Sequence, residues 1–454
     1  MAPDRYEAAL AYLFSATDYE KMRRVRYNAD TFSLDRMRRL LEALGSPERG
    51  LRAVHVAGTK GKGSTAAMVH AIALECGLTA GLYTSPHLED IRERIRVGPR
   101  DIAPEDLADL IDLARPHVER MRAEGDAPTF FEIFTALAFV HFARVGVDLV
   151  VAEVGLGGRL DATNVLAPDV SVITAISLDH MAQLGGTLAA IAAEKAGIVK
   201  PRVPVVSQPQ PVEAMAAIRD ACREAGSPLV LVGRDVTYTW EPAAEAGRPG
   251  GRLTVRTPDA AYSGLFLPLM GEHQALNAAA AVAAAERAGP LARRISRDVV
   301  RRALAAVRWP GRMEHRPGPP ETVLDGAHNR ASIERLAEAL GRHFPGRRPV
   351  VVFGSAADKD VDGMLAAVVE RMPGAAVLFA RSQNPRAADA ADLAARFVAC
   401  GGGGAETFGD VASALAAAAR RAAGGGLVVV CGSLYLVGEA RGLLAAGRAA
   451  PEVG

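Results

Sequence analysis

Apolar residues fall along this chain in short, nearly unbroken runs separated by longer stretches with helical spacing. The runs at 53–57, 80–84, 147–154, 170–176 and 203–207 read as strands. Val147-Asp148-Leu149-Val150-Val151-Ala152-Glu153-Val154 is the clearest, with the near-continuous apolarity of a strand covered on both faces of a parallel sheet. Between and before these runs, helical patterns occupy 6–14, 34–44, 66–74, 104–123, 130–145, 188–196 and 212–225, with Ser33 as an N-cap and Gly45 as a stop. Strand–helix alternation predicts a doubly wound α/β domain over residues 1–308, its site lying at the carboxyl ends of the strands. Short β-like pieces at 229–232, 236–240, 252–257 and 265–267 predict a small antiparallel appendage near 229–268, followed by an alanine-rich helix over 274–288. A Pro/Gly-rich stretch at 309–318 reads as a linker. The alternation then restarts, predicting a smaller, Rossmann-like α/β domain over 319–454.

Composition narrows the classes of function. With 454 residues, 49% of them apolar, the chain has room for two or three domains with sizeable cores. Its 53 basic and 52 acidic residues leave a net charge of +1, which gives no footprint for nucleic acid or an anionic membrane. No segment reads as a secretory signal or a membrane span, so a cytoplasmic protein is expected. The four cysteines, Cys76, Cys222, Cys400 and Cys431, have neither metal spacing nor a disulfide pattern. Only six basic residues are lysines: Lys21, Lys60, Lys62, Lys195, Lys200 and Lys359. In an arginine-using chain, a lysine can mark a place where an amine is required.

The candidate chemistry begins where the first buried run ends. Gly58-Thr59-Lys60-Gly61-Lys62-Gly63-Ser64 joins a strand to a helix, the arrangement that offers backbone N–H groups and a positive helix end to a phosphate. Lys62 would reach the outer phosphates, yet the strict P-loop pattern fails, because Gly63 stands where a serine or threonine should follow the lysine. Ser85, Glu153, Asp179 and His180 stand where other strands of the same domain end, so Ser85, Glu153 and His180 are candidates to share magnesium with those phosphates. Read from the residues alone, Lys195 is a cation near a helix C-terminus. Likewise Asp325-Gly326-Ala327-His328-Asn329 is a structural turn, and Arg312 is singled out only by its place in the linker.

These blocks, together with Tyr83-Thr84-Ser85-Pro86-His87-Leu88, the run from Glu153 to Asn164, Glu194-Lys195-Ala196-Gly197-Ile198 and Gly432-Ser433-Leu434-Tyr435-Leu436, resemble the folylpolyglutamate synthase/dihydrofolate synthase family within the Mur ligase superfamily. Gly63 belongs to that family's form of the loop. Bacterial members usually carry Asn where this chain has Lys60; the lysine resembles the eukaryotic form. The resemblance implies an ATP-dependent ligase that joins L-glutamate to the carboxylate of dihydropteroate or a reduced folate through an acyl phosphate. It implies ATP contacts by Gly58 to Ser64, Asn277, Arg312 and Asp325. Magnesium, expected as two ions, would be held by Ser85, Glu153, His180 and a carbamylated Lys195, with a monovalent cation such as potassium as a further expectation. Pteroate contacts would fall to Asp30, Thr31, Phe32, Thr129, Phe130, Phe131, Glu132, Leu160, Asp161 and Ala162, and glutamate contacts to His328 and Ser433. Lys62, His180 and Lys195 would carry the catalysis.

Small-molecule partners and a monomer are expected. Two other readings stay open: a cell-wall Mur ligase, against which stand the mere 57 residues before Gly58, and a nucleotide-dependent switch protein with no ligase step. Whether the product is dihydrofolate, a polyglutamate or both is undecided.

Overall fold

The apolar runs become the strands of two separate sheets. The computed structural model describes residues 3–19, 28, 31–179 and 181–447. The larger sheet runs, edge to edge, Arg100–Asp101, Ile95–Val97, Ala80–Tyr83, Leu149–Glu153, Ala53–Ala57, Val170–Ile173, Val205–Ser207, Leu229–Leu231. Its last six strands are mutually parallel, and the first two form an antiparallel hairpin on one edge. Ala53–Ala57 and Leu149–Glu153, side by side at the centre, are buried at every residue, which is why they read as continuous apolar runs.

Helix Lys62–Glu75 lies on one face of this sheet and is roofed by helix Glu272–Ala285. The run of alanines from Ala278 to Ala281 is wholly buried, and its small side chains let the two helices approach closely. Helices Leu34–Ala43, Pro104–Ala123 and Phe130–Val145 form the core on the opposite face. Strands Thr237–Glu245, Arg248–Arg256 and Ala261–Leu267 make the antiparallel appendage.

The second sheet has the order Glu314–Arg316, Glu321–Leu324, Leu427–Cys431, Pro349–Phe353, Ala376–Ala380, Ala405–Phe408, parallel except for its first strand. Apolar clusters cover both of its faces.

Two assignments differ from expectation. Leu229–Leu231 pairs in parallel with Val205–Ser207, so it closes the main sheet instead of starting the appendage. Glu314–Arg316, within the segment read as linker, is an edge strand of the second sheet. Helix Leu434–Ala445 follows the last strand and packs onto the first domain, where Gly438 meets the Leu88 carbonyl. Among the described residues, no helix is long and apolar enough to cross a membrane.

Candidate active site

The turn from Gly58 to Gly61, Ser85, Glu153 and Asp179 end or follow strands of the first sheet, whereas Lys195 and Asn277 stand on helices. The turn after Ala53–Ala57 is held by the loop leaving the adjacent strand. Thr59 and Lys60 donate their backbone N–H groups to the Ala175 carbonyl at 2.9 and 3.1 Å, and Ser177 N–H donates to Thr59 Oγ1 at 3.2 Å. Gly58 has φ +149°, and a methyl group there would lie 1.8 Å from Thr174 Oγ1, so only glycine fits. No side chain caps helix Lys62–Glu75, which leaves its first N–H groups facing the cleft.

Glu153 closes the neighbouring strand and is 5% exposed. Its carboxylate accepts from Ser85 N–H at 3.4 Å and lies 3.8 Å from Lys62 Nζ. Burial raises its pKa, while Lys62 and then Arg312 act to lower it. The Gly-rich loop that follows is tied down from inside: Asp161 accepts N–H bonds from Gly155 and Leu156, both at 3.0 Å, and a hydroxyl bond from Thr163 at 2.5 Å. Beyond it, Gly158 abuts the Glu194 and Lys195 carbonyls, and Arg159 pairs with Glu194 at 2.7 Å. These contacts anchor the end of helix Leu188–Ala196, where the Lys195 amine is buried and makes no hydrogen bond or ion pair among the described residues. Burial, aided by Lys62, brings the Lys195 pKa down to about 7.

The second domain completes the cleft. Asp325 accepts from the Met313 and Ala327 N–H groups at 2.8 and 2.9 Å; burial raises its pKa and Arg312 opposes the shift. Arg312, half-buried, influences both Glu153 and Asp325 and has no hydrogen bond or ion pair among the described residues. Lys60 bridges the domains: its Nζ lies 3.0 Å from Asp179 Oδ2 and 3.2 Å from His328 Nε2. His328 Nδ1–H donates to the Gly326 carbonyl at 2.8 Å, so Nε2 is the acceptor. Burial, with Lys60 beside it, pushes the His328 pKa down to about 3, which keeps the ring neutral.

Next to Gly61 opens a cavity of about 270 Å³ lined by Gln208, Tyr238, His273, Leu276, Asn277 and Arg335 among others. Asn277 is locked there by Gln208 at 2.8 Å and Gln274 at 3.0 Å, against a Gly61 whose φ is +90°.

The structure thus brings together the loop residues, Asn277, Glu153, Lys195, Arg312, Asp325 and His328. Other expected contacts have work within the fold. Thr129 and Glu132 form the capping box of helix Phe130–Val145, and Glu132 also makes a buried pair with Arg36 at 2.8 Å. Phe130 is buried beside Phe134, whereas Phe131 is half-buried with its ring against Gly155. Ala162 is buried, and Leu160, Thr31 and Phe32 are half-buried, with Phe32 5.3 Å from Tyr19. Ser433 caps helix Leu434–Ala445. Asp30 and His180 lie outside the described residues. Among those described, no three His, Cys, Asp or Glu side chains gather around a metal position. Sequence reasoning missed Gln208, Tyr238, His273 and Arg335; the pattern Gly271-Glu272-His273-Gln274 just before Asn277 was the available signal.

A model described as the Mur ligase middle domain matches residues 56–285, and one described as the Mur ligase glutamate ligase domain matches 311–434. A Bacillus subtilis dihydrofolate synthase/folylpolyglutamate synthase is 39% identical over 363 residues, covering 79% of this chain and 83% of that protein. The chain belongs to the folylpolyglutamate synthase/dihydrofolate synthase family of Mur ligases. A probable bifunctional folylpolyglutamate synthase/dihydropteroate synthase of Haloferax volcanii is 39% identical over 440 residues, and the chain spans 50% of that relative's length. Among solved members of the family, the Mycobacterium tuberculosis folylpolyglutamate synthase complexed with ADP superposes with TM-score 0.88 at 33% identity, covering 97% of this chain and 98% of that one. The E. coli FolC structure in complex with DHPP and ADP gives TM-score 0.82 at 29% identity, with 98% of each chain covered.

Proposed function

We propose that this protein is an ATP-dependent ligase that forms an amide between L-glutamate and the carboxylate of dihydropteroate or of a reduced folate. The observation that carries the reading is the meeting of both domains at the phosphate loop, where Lys60 lies 3.2 Å from His328. A reaction that makes an acyl phosphate needs such a closed cleft, since open water would hydrolyse the intermediate.

The roles follow from position. The cavity beside Gly61 takes the adenosine of ATP, and the uncapped start of helix Lys62–Glu75 takes the phosphates. A substrate carboxylate oxygen attacks the γ-phosphorus; the bond to the bridging oxygen breaks, and ADP leaves with the electron pair. Lys62 on the loop and Arg312 from the linker stabilise the charge on the transferring oxygens. The glutamate amine then attacks the acyl carbon, and phosphate is expelled from the tetrahedral intermediate as the nitrogen loses its proton. His328, neutral and on the second domain, faces the amino acid side.

Magnesium fits the residues present. Glu153 is a buried carboxylate with one long N–H contact, and Lys195 is a buried amine with a pKa of about 7. A large share of that amine is therefore neutral near pH 7, the form that adds to CO₂ to give a carbamate. Ser85, Glu153, His180 and carbamylated Lys195 would hold the ions, which when bound neutralise phosphate and carboxylate charge.

The test is ADP release with dihydropteroate or tetrahydrofolate, each with and without glutamate, in the presence of Mg-ATP. The proposal expects release to require one pterin acceptor together with glutamate, and the preferred acceptor assigns the product. Release without any acceptor, or none with either, would overturn it.

A further inference from the structure

The glycine that breaks the P-loop pattern has a partner. A methyl group on Gly63 would lie 3.0 Å from Trp309 Cζ2, 3.3 Å from Trp309 Cε2 and 3.3 Å from Glu153 Oε2. Trp309, half-buried and packed on the core around helix Lys62–Glu75, therefore covers the second residue of that helix. The same added methyl would touch both the indole and the Glu153 carboxylate, and that carboxylate lies 3.8 Å from Lys62 Nζ, so the ring stands beside the charged end of the turn. An ordinary P-loop has a hydroxyl side chain here; in this chain the indole occupies the room.

The ring's place is also tied to the second domain. Two residues beyond Trp309, the Gly311 N–H donates to Glu314 Oε2 at 2.9 Å, and the Gly311 carbonyl accepts from Gly326 N–H at 2.8 Å. Movement of the second domain therefore moves the segment that carries the indole.

We propose that Trp309 is a positioning residue that roofs the transferring phosphate and keeps water from the acyl phosphate, in a space that exists because residue 63 is glycine. The inference rests on the ligase reading given above. Without the roof, water attacks the acyl phosphate; the substrate carboxylate and inorganic phosphate are released, and ATP is consumed with no amide formed.

The experiment compares Trp309→Leu and Trp309→Phe with the wild type, counting ADP released against glutamate incorporated. The leucine variant is expected to release several-fold more ADP than amide, and the phenylalanine variant to restore equal amounts. A slower enzyme that still forms ADP and amide in equal amounts would show a merely structural residue and overturn the proposal. Because the chain has two tryptophans, Trp240→Phe leaves Trp309 as sole reporter. AMP-PCP with magnesium should then shield it from acrylamide quenching; unchanged quenching would overturn the proposal without reference to turnover. A wild type that forms no glutamate-dependent ADP would instead refute the ligase reading, leaving the quenching result to judge the ring's position.

Discussion

Replacing Lys62 with methionine keeps a flexible stem in a side-chain position that is 16% exposed and removes only the ammonium. That ammonium lies 3.8 Å from Glu153 Oε1, and Arg312 also acts on the same carboxylate. The variant is therefore not left with a stranded buried charge, and its loss of stability should fall well below the ~3–5 kcal/mol such stranding costs. The catalytic effect should be larger. A single donor aimed at charge that develops in the transition state is worth ~2.7–4 kcal/mol, or ~10²–10³ in rate. Rapid-quench measurement of one turnover of ADP formation would read this loss directly. Calorimetry with AMP-PCP would show how much of it is ground-state binding, which should be the smaller part if Lys62 acts mainly on the transferring oxygens. A folded variant with a near-normal single-turnover rate would remove Lys62 from the reaction and refute the reasoning.

Three further outcomes are expected. Lys195→Arg should inactivate the enzyme without unfolding it, because only a neutral primary amine forms a carbamate; full activity would show the lysine to be structural. Removing divalent ions with EDTA should stop ADP formation and added magnesium should restore it, whereas continued turnover would dismiss the metal reading of Ser85 and Glu153. Burial lowers the pKa of His55 to about 3 and of His70 and His273 to about 4, so below the ordinary value of 6.5 the unfolded chain binds more protons than the native one. Stability should then fall as pH drops from 6.5 toward 4, by at most about 4 kcal/mol per pH unit for the three together. Urea titrations across that range should show the midpoint dropping steeply, and a flat response would refute the neutral burial of these rings.

The central parallel strands were legible because residues covered on both faces are mostly apolar, with hydrogen-bonded exceptions such as His55 and Ser171. Edge strands have no such constraint. Glu314–Arg316 is Glu-His-Arg and half-buried at each position, so nothing in its polarity announces a strand. Leu229–Leu231 was visible as apolar but too short for its period to separate a parallel edge from an antiparallel appendage. In the candidate site, the turn from Gly58 to Ser64 stood out in the sequence because its glycines have a local cause. The Lys60–His328 bridge spans 268 positions of sequence, and the Arg36–Glu132 pair spans 96, so neither partner predicts the other. Trp309 over Gly63 is the same kind of case. The departure from the P-loop pattern was plain, and the indole that a methyl there would meet at 3.0 Å belongs to a residue that only folding brings near.

Attack of the substrate carboxylate on the γ-phosphorus is the step on which the whole account turns. Dihydropteroate or tetrahydrofolate carrying oxygen-18 in its reactive carboxylate should transfer one labelled oxygen to inorganic phosphate in each turnover with glutamate and Mg-ATP. Phosphate free of label, while ADP and amide form normally, would contradict it.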